Sequence, residues 1–177
     1  MILKKALLFC TSFLFAHALY ANEENVKHAG DILYVLIPIG SYASTYYMND
    51  DEGRMEFYKS FATAAGVTYG LKYTIDAPRP DGSDKNSFPS GHTSLTFQSA
   101  VFLHKRYGLK YALLSYAGAT FVGYSRVYSH EHYSRDVIAG ALLGTLSAWL
   151  FTEKYKNFSL DLKINTKDKF FTLTYKY

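Results

Sequence analysis

The 177-residue sequence has little cysteine, proline or tryptophan, with one, four and one respectively. Cys10 stands alone, so no disulfide and no cysteine metal site can form within the chain. Charge is sparse too, and neither sign dominates: 19 Lys+Arg stand against 15 Asp+Glu, a net charge of +4. The basic residues fall singly or in pairs, without the run or stripe that grips a polyanion, so a nucleic-acid partner is excluded. Long apolar runs are also missing after the N-terminus. Ile32–Met48, Ser60–Leu71, Tyr111–Ser125 and Val137–Thr152 lack charge for most of their length, yet none clearly reaches the roughly 20 apolar residues that cross a bilayer.

What is present is a packed, aromatic-rich chain. A hydrophobic fraction of 49% with only 19% charged residues excludes a disordered polymer, and the length suits one domain with one core. Seventeen tyrosines fit surfaces where an apolar body meets a polar boundary, which points to membrane contact.

The N-terminus reads as an export signal. Lys4 and Lys5 precede an apolar run from Ala6 to Phe15, and Ala16-His17-Ala18 supplies a small-x-small cleavage site, with a second after Ala21. Residues 1–21 are thus a signal peptide or a first membrane helix, and in either case the body, 22–157, faces outward. The charge-poor segments have helical length, as does a mixed one from Thr93 to Leu103. Small residues recur at four-residue steps as Ala62/Gly66/Gly70, Ser115/Ala119/Gly123 and Gly140/Gly144/Ala148, stripes that let helix backbones approach closely. The predicted fold class is mainly α: a compact bundle of five to six helices. His104-Lys105-Arg106, Lys110, Lys154 and Lys156 gather positive charge at one end, as on a cytoplasmic face, although the predicted loop from Asn49 to Arg54 at that end is acidic. The tail changes period: Phe158, Leu160, Leu162 and Ile164 alternate with polar residues, and so do Phe171, Leu173, Tyr175 and Tyr177. That pattern predicts a C-terminal β-hairpin over 158–177, whose apolar face would rest on the bundle, on lipid or on a second copy of the chain, and so could mediate self-association.

Three stretches carry polar residues that a core does not need: Lys72 to Pro80, Pro89-Ser90-Gly91-His92, and Ser125 to Asp136. In an up-and-down bundle, Lys72 ends the second helix, His92 opens the third, Arg126 ends the fourth and Asp136 opens the fifth, so all meet at one face. Three cations aimed at one place repel one another unless an anion joins them, and guanidinium forks match phosphate oxygens. Gly91 at a helix start permits close approach to free N–H groups. His132 and Asp136, four apart, place a carboxylate where it can accept the ring N–H and leave the opposite nitrogen free as a nucleophile. His130-Glu131-His132 lacks the spacing of a helical zinc pair, so no metal site is expected.

These stretches resemble the three motifs of the type 2 phosphatidic-acid phosphatase superfamily, which includes bacterial acid phosphatases and vanadium haloperoxidases. The pattern K-x6-R-P is met by Lys72, Arg79 and Pro80, P-S-G-H by Pro89 to His92, and S-R-x5-H-x3-D by Ser125, Arg126, His132 and Asp136. The resemblance implies that His132 attacks phosphorus to form a phosphohistidine, that Asp136 orients it, and that His92 protonates the leaving oxygen and later activates water. Lys72, Arg79, Ser90, the Gly91 amide and Arg126 would hold the phosphate oxygens. It implies no cofactor. The expected function is that of an extracytoplasmic phosphatase acting on lipid phosphates or pyrophosphates, in an inner membrane with its site facing the periplasm. The alternatives are a soluble exported acid phosphatase acting on small phosphomonoesters, a haloperoxidase holding vanadate, and a non-enzymatic envelope protein. Lipid A, undecaprenyl pyrophosphate and phosphatidate all offer a phosphate to the same residues.

Overall fold

The computed structural model describes residues 22–155, 157–161 and 172–176. The predicted signal segment, with Cys10, lies outside the described residues. Five helices are described: α1 (Glu23–Tyr47), α2 (Asp51–Thr74), α3 (Gly91–Tyr107), α4 (Leu109–Tyr128) and α5 (Ser134–Phe151). Asn22 caps α1 through the Asn25 amide, and Asp50 caps α2 through the Gly53 amide. The acidic stretch expected as a loop is therefore mostly the first turn of α2, where carboxylates complement the helix dipole.

The bundle is built around α3. Twelve of its residues are buried, from Gly91 and Thr93 to Arg106, and it packs against each of the other four helices. Its hydroxyls and amide find partners in the interior: Thr68 donates to Ser94 (2.8 Å), Gln98 to Ser60 (2.8 Å), and Ser99 to the Leu95 carbonyl (2.8 Å). A polar helix can occupy the centre because those groups are satisfied there. The outer helices turn apolar side chains outward instead, among them Leu36, Leu113, Leu114, Leu142, Leu146 and Leu150.

Two of the three small-residue stripes do what the spacing predicts. A Cβ on Gly140 would run into the Ser90 carbonyl, and one on Gly144 into the Ser94 carbonyl, so α5 lies directly on the first turns of α3. Ala119 and Gly123 of α4 are buried as well. The stripe Ala62/Gly66/Gly70 is exposed, and Gly66 and Gly70 have open space around them. Spacing shows that a smooth face exists without showing that a neighbour uses it.

The C-terminal expectation needs correction. The body, 22–155, is an all-helical bundle, and the predicted hairpin over 158–177 is not seen as such. What is described is an antiparallel pairing of β1 (Asn157–Asp161) with β2 (Thr172–Lys176), five residues each, with Asn157 opposite Lys176. The segment that would close a hairpin, 162–171, lies outside the described residues. The physical reason is that alternation reports which side chains share a face, and does not say where two strands join or what their face rests on.

Candidate active site

The chain stretches singled out by their polar residues meet at one end of the bundle. Lys72 lies in the last turn of α2, His92 in the first turn of α3, Arg126 in the last turn of α4 and Asp136 in the first turn of α5. The loop between α2 and α3 is folded by its own backbone: Arg79 N–H donates to the Asp84 carbonyl (3.0 Å) and Ser87 N–H to that of Ala77 (3.0 Å). Between α4 and α5, His130 adopts a left-handed conformation (φ 52°). The chain can then reverse, so that the Glu131 and His132 amides both donate to the Arg126 carbonyl (3.0 and 3.1 Å). The Ser90 amide donates to the Asp136 carbonyl (2.9 Å), locking the second motif to the third.

A cavity of about 260 Å³ opens there, and Lys72, Arg79, Gly91, His92 and His132 all line it, with Tyr34, Tyr69, Tyr73, Asp84 and Asn86 completing the wall. A Cβ on Gly91 would approach no atom closer than 3.8 Å, so the glycine leaves room at the cavity wall. Ser90 and Arg126 are not part of that wall. The Ser90 hydroxyl is buried against Thr93 Oγ1 (3.0 Å). Arg126 lies buried behind the wall, where Nη1 donates to Asp31 Oδ1 (2.8 Å), Nη2 to the Lys27 carbonyl (2.8 Å) and Nε to Ser125 Oγ (3.2 Å).

The histidine and aspartate four residues apart are close but not directly bonded. His132 Nδ1 is 3.8 Å from Asp136 Oδ2, beyond hydrogen-bond range. Ser87 lies between them: its hydroxyl donates to Asp136 Oδ2 (2.5 Å) and stands 3.4 Å from His132 Nδ1. The same oxygen also accepts the Tyr133 amide (3.0 Å), while buried Asp136 Oδ1 has no hydrogen-bond partner among the described residues. The carboxylate is thus shared between capping α5 and facing the imidazole, while Oδ1 stands 3.6 Å from Arg135 Nε.

Carboxylates hold the cations in place. Arg79 donates to Asp84 Oδ1 through Nε (2.9 Å) and to Glu131 through Nη1, and Glu131 also pairs with Lys27. The Lys72 ammonium donates to the Asn86 carbonyl. Burial, then the Arg79 charge, lowers the Lys72 pKa to about 8. Burial lowers His132 to about 4, with Lys72 and Arg79 adding to the effect, and lowers His92 to about 4, with Arg126 the next cause. Both rings are neutral near pH 7, and each faces a positive field.

Asp31, Ser87 and Glu131 were not expected as site residues. Asp31 and Ser87 lie outside the three motifs. Glu131 lies inside one, where the sequence raises it only as a candidate metal ligand.

Comparison with known proteins gives the family. The family model of the PAP2 superfamily matches residues 55–159. The chain is 38% identical over 96 residues to a lipid A 1-phosphatase of Porphyromonas gingivalis, a match covering 50% of this chain and 22% of that protein. It is 31% identical over 165 residues to a lipid A 4'-phosphatase of Helicobacter pylori, covering 84% of this chain and 83% of that one. The crystal structure of Aquifex aeolicus LpxE shares the fold, with a TM-score of 0.62 at 23% identity over 72% of this chain and 83% of that chain. With the family model covering more than half of its length, and a relative 31% identical over 84% of it, the chain belongs to the PAP2 superfamily.

Proposed function

We propose that this PAP2-superfamily phosphatase removes phosphate from a membrane lipid, of the lipid A type or a lipid pyrophosphate, through a phosphohistidine intermediate and on the outer side of the membrane it contacts. The observation that carries the assignment is the meeting of His92, His132, Lys72 and Arg79 at one cavity at the end of the bundle. A neutral imidazole is the nucleophilic form. His132 Nδ1 faces Ser87 and Asp136, so Nε2 is the nitrogen free to attack phosphorus in line. As that bond forms and the P–O bond to the lipid breaks, Asp136 stabilises the ring's new positive charge. His92, which takes up a proton as the anionic phosphate binds beside it, gives that proton to the leaving oxygen, then takes one from the water that hydrolyses the phosphohistidine. Lys72, Arg79 and the Gly91 amide meet the equatorial oxygens, with Arg126 contributing its charge from behind His92. Cations and N–H groups of the chain meet the phosphoryl charge throughout, so the mechanism contains no metal step.

The lipid assignment draws on the named activities of the two relatives and on the arrangement of the bundle. Its interior helix is polar and its outer faces carry leucines, the pattern of a body seated among lipid chains. No described helix is long and apolar enough to cross a membrane. The test is phosphate release from lipid A, undecaprenyl pyrophosphate and phosphatidate beside soluble phosphomonoesters. His132→Ala and His92→Ala are each expected to lower turnover by about 10²-fold or more. Near-normal turnover in the His132 variant overturns the mechanism.

A further inference from the structure

The first helix, α1, precedes the residues matched by the family model, yet one of its faces is built into the site. Lys27, Gly30, Asp31 and Tyr34 are spaced i, i+3, i+4 and i+7, so they share a stripe. Lys27 pairs with Glu131, the partner of Arg79, and its carbonyl accepts from Arg126. At Gly30 the helix presses on Arg126: a Cβ there would meet Nη2 at 2.7 Å. The Tyr34 ring lies against that of His92, with centroids 4.1 Å apart. Asp31 Oδ1 accepts from Arg126 Nη1 at 2.8 Å and stands 3.2 Å from His92 Nε2.

We propose that Asp31 is a positioning residue for the phosphatase reaction: its carboxylate holds the Arg126 guanidinium and the His92 ring in one arrangement and favours the protonated His92 that the leaving oxygen requires. The proposal rests on the phosphatase assignment above. Of the groups facing His92, Arg126 on α4 opposes protonation, while Asp31 on α1 and Glu131 on the α4–α5 loop favour it. Tyr34 on α1 packs against the ring. Asp31 is the carboxylate within contact distance, so it is the standing counter-charge that lets an imidazolium form beside a buried arginine. The imidazolium surrenders one proton to the leaving oxygen, which takes the electron pair of the breaking P–O bond. The ring is left neutral and Asp31 remains a carboxylate throughout.

A purely structural Asp31 and a proton-positioning one differ in how they depend on the leaving group. From dioctanoyl phosphatidate the departing group is a diacylglycerol alkoxide that needs a proton, whereas from p-nitrophenyl phosphate it is a stable phenolate that does not. In the detergent-solubilised full chain, Asp31→Asn should lower turnover of the phosphatidate about 10- to 100-fold and of the aryl phosphate by a few-fold at most. The alkaline limb of the phosphatidate pH profile should also move to lower pH, because His92 has lost its counter-charge. Asp31→Glu keeps the charge but displaces it by one methylene, and should show a smaller loss with the same selectivity. It carries the test alone if Asp31→Asn does not fold. Equal losses on the two substrates, or an unmoved pH limb, overturn the role of Asp31. Failure of the unaltered chain to release phosphate from both of these, from lipid A and from undecaprenyl pyrophosphate overturns the phosphatase assignment instead.

Discussion

A histidine that is to attack phosphorus must keep a lone pair at working pH, and the site secures this by burying His132 beside Lys72 and Arg79. The same arrangement burdens the fold in acid. Both His132 and His92 have folded-state pKa values near 4 against 6.5 as the ordinary value. Between those limits the unfolded chain binds more protons than the folded one, so stability falls as pH falls through the window from about 6.5 to about 4. The melting temperature should therefore drop steadily from pH 7 to pH 4.5. Much of that slope should vanish in His132→Ala, which removes one of the two rings that resist protonation. A flat profile over the window contradicts the burial argument. The groups facing substrate could be read from the sequence because type and spacing declare them: Lys72, Arg79, His92 and His132 all reach the cavity. Their supports could not. Asp31 is 61 residues before His92 and Ser87 is 45 before His132, and an ordinary aspartate or serine acquires a role only when helices remote in the chain bring it to a partner. Arg126 was legible as a cation, but its place behind the wall depends on Gly30 of a helix that no motif mentions.

The elements are placed by contacts between backbones, and α5 on α3 is the decisive one. Gly140 and Gly144 lie over the Ser90 and Ser94 carbonyls, which holds Asp136 at the height where Ser87 and the Ser90 amide reach it. Neither backbone can yield as a flexible side chain would. Gly144→Ala should therefore destabilise the bundle by about 1–3 kcal/mol and lower turnover by tilting α5 away from the site. Gly66→Ala on α2 is the control. Its surroundings are open and its helix gains propensity, so stability should be unchanged or rise by about 0.5–1 kcal/mol. Melting curves of the two variants decide this, and equal effects would show that the α3–α5 contact does not carry the site. Four-residue spacing alone did not separate these glycines, because periodicity describes one helix and contact needs two. For the same reason α3 stands out in the sequence as the mixed segment yet forms the centre. Its hydroxyls are satisfied by Ser60, Thr68 and its own carbonyls, a fact about neighbours and not about hydropathy.

At the scale of the whole molecule, polarity is arranged inside out. At the end away from the cavity, buried Arg106 is held by Asp50 (2.6 Å), Glu52 (3.0 Å) and Glu56 (3.1 Å), and its carbonyl accepts from the Tyr155 amide (2.8 Å). The chain after α5 is thereby pinned to the starts of α2 and the end of α3. Between the two charged ends, α4 and α5 present Leu113, Leu114, Ile138, Leu142, Leu146 and Leu150, each more than half exposed. In water such faces would be an aggregation surface. Against hydrocarbon they need no cover, and the polar groups inside supply the interhelical bonds that lipid cannot. No described helix is long and apolar enough to cross a membrane, so the outward leucines are what the following measurements test. The protein should stay with the membrane pellet after carbonate extraction, and release into the supernatant would favour the soluble alternative. Leu142→Arg, at the middle of α5's outward face, should cost about 2.5–3.5 kcal/mol if that face meets lipid, lowering the membrane-bound fraction. In water the same change would be nearly neutral and would improve solubility. Since Leu142 lies away from the cavity residues, phosphate release per folded molecule should not change, so the variant separates where the protein resides from what it catalyses.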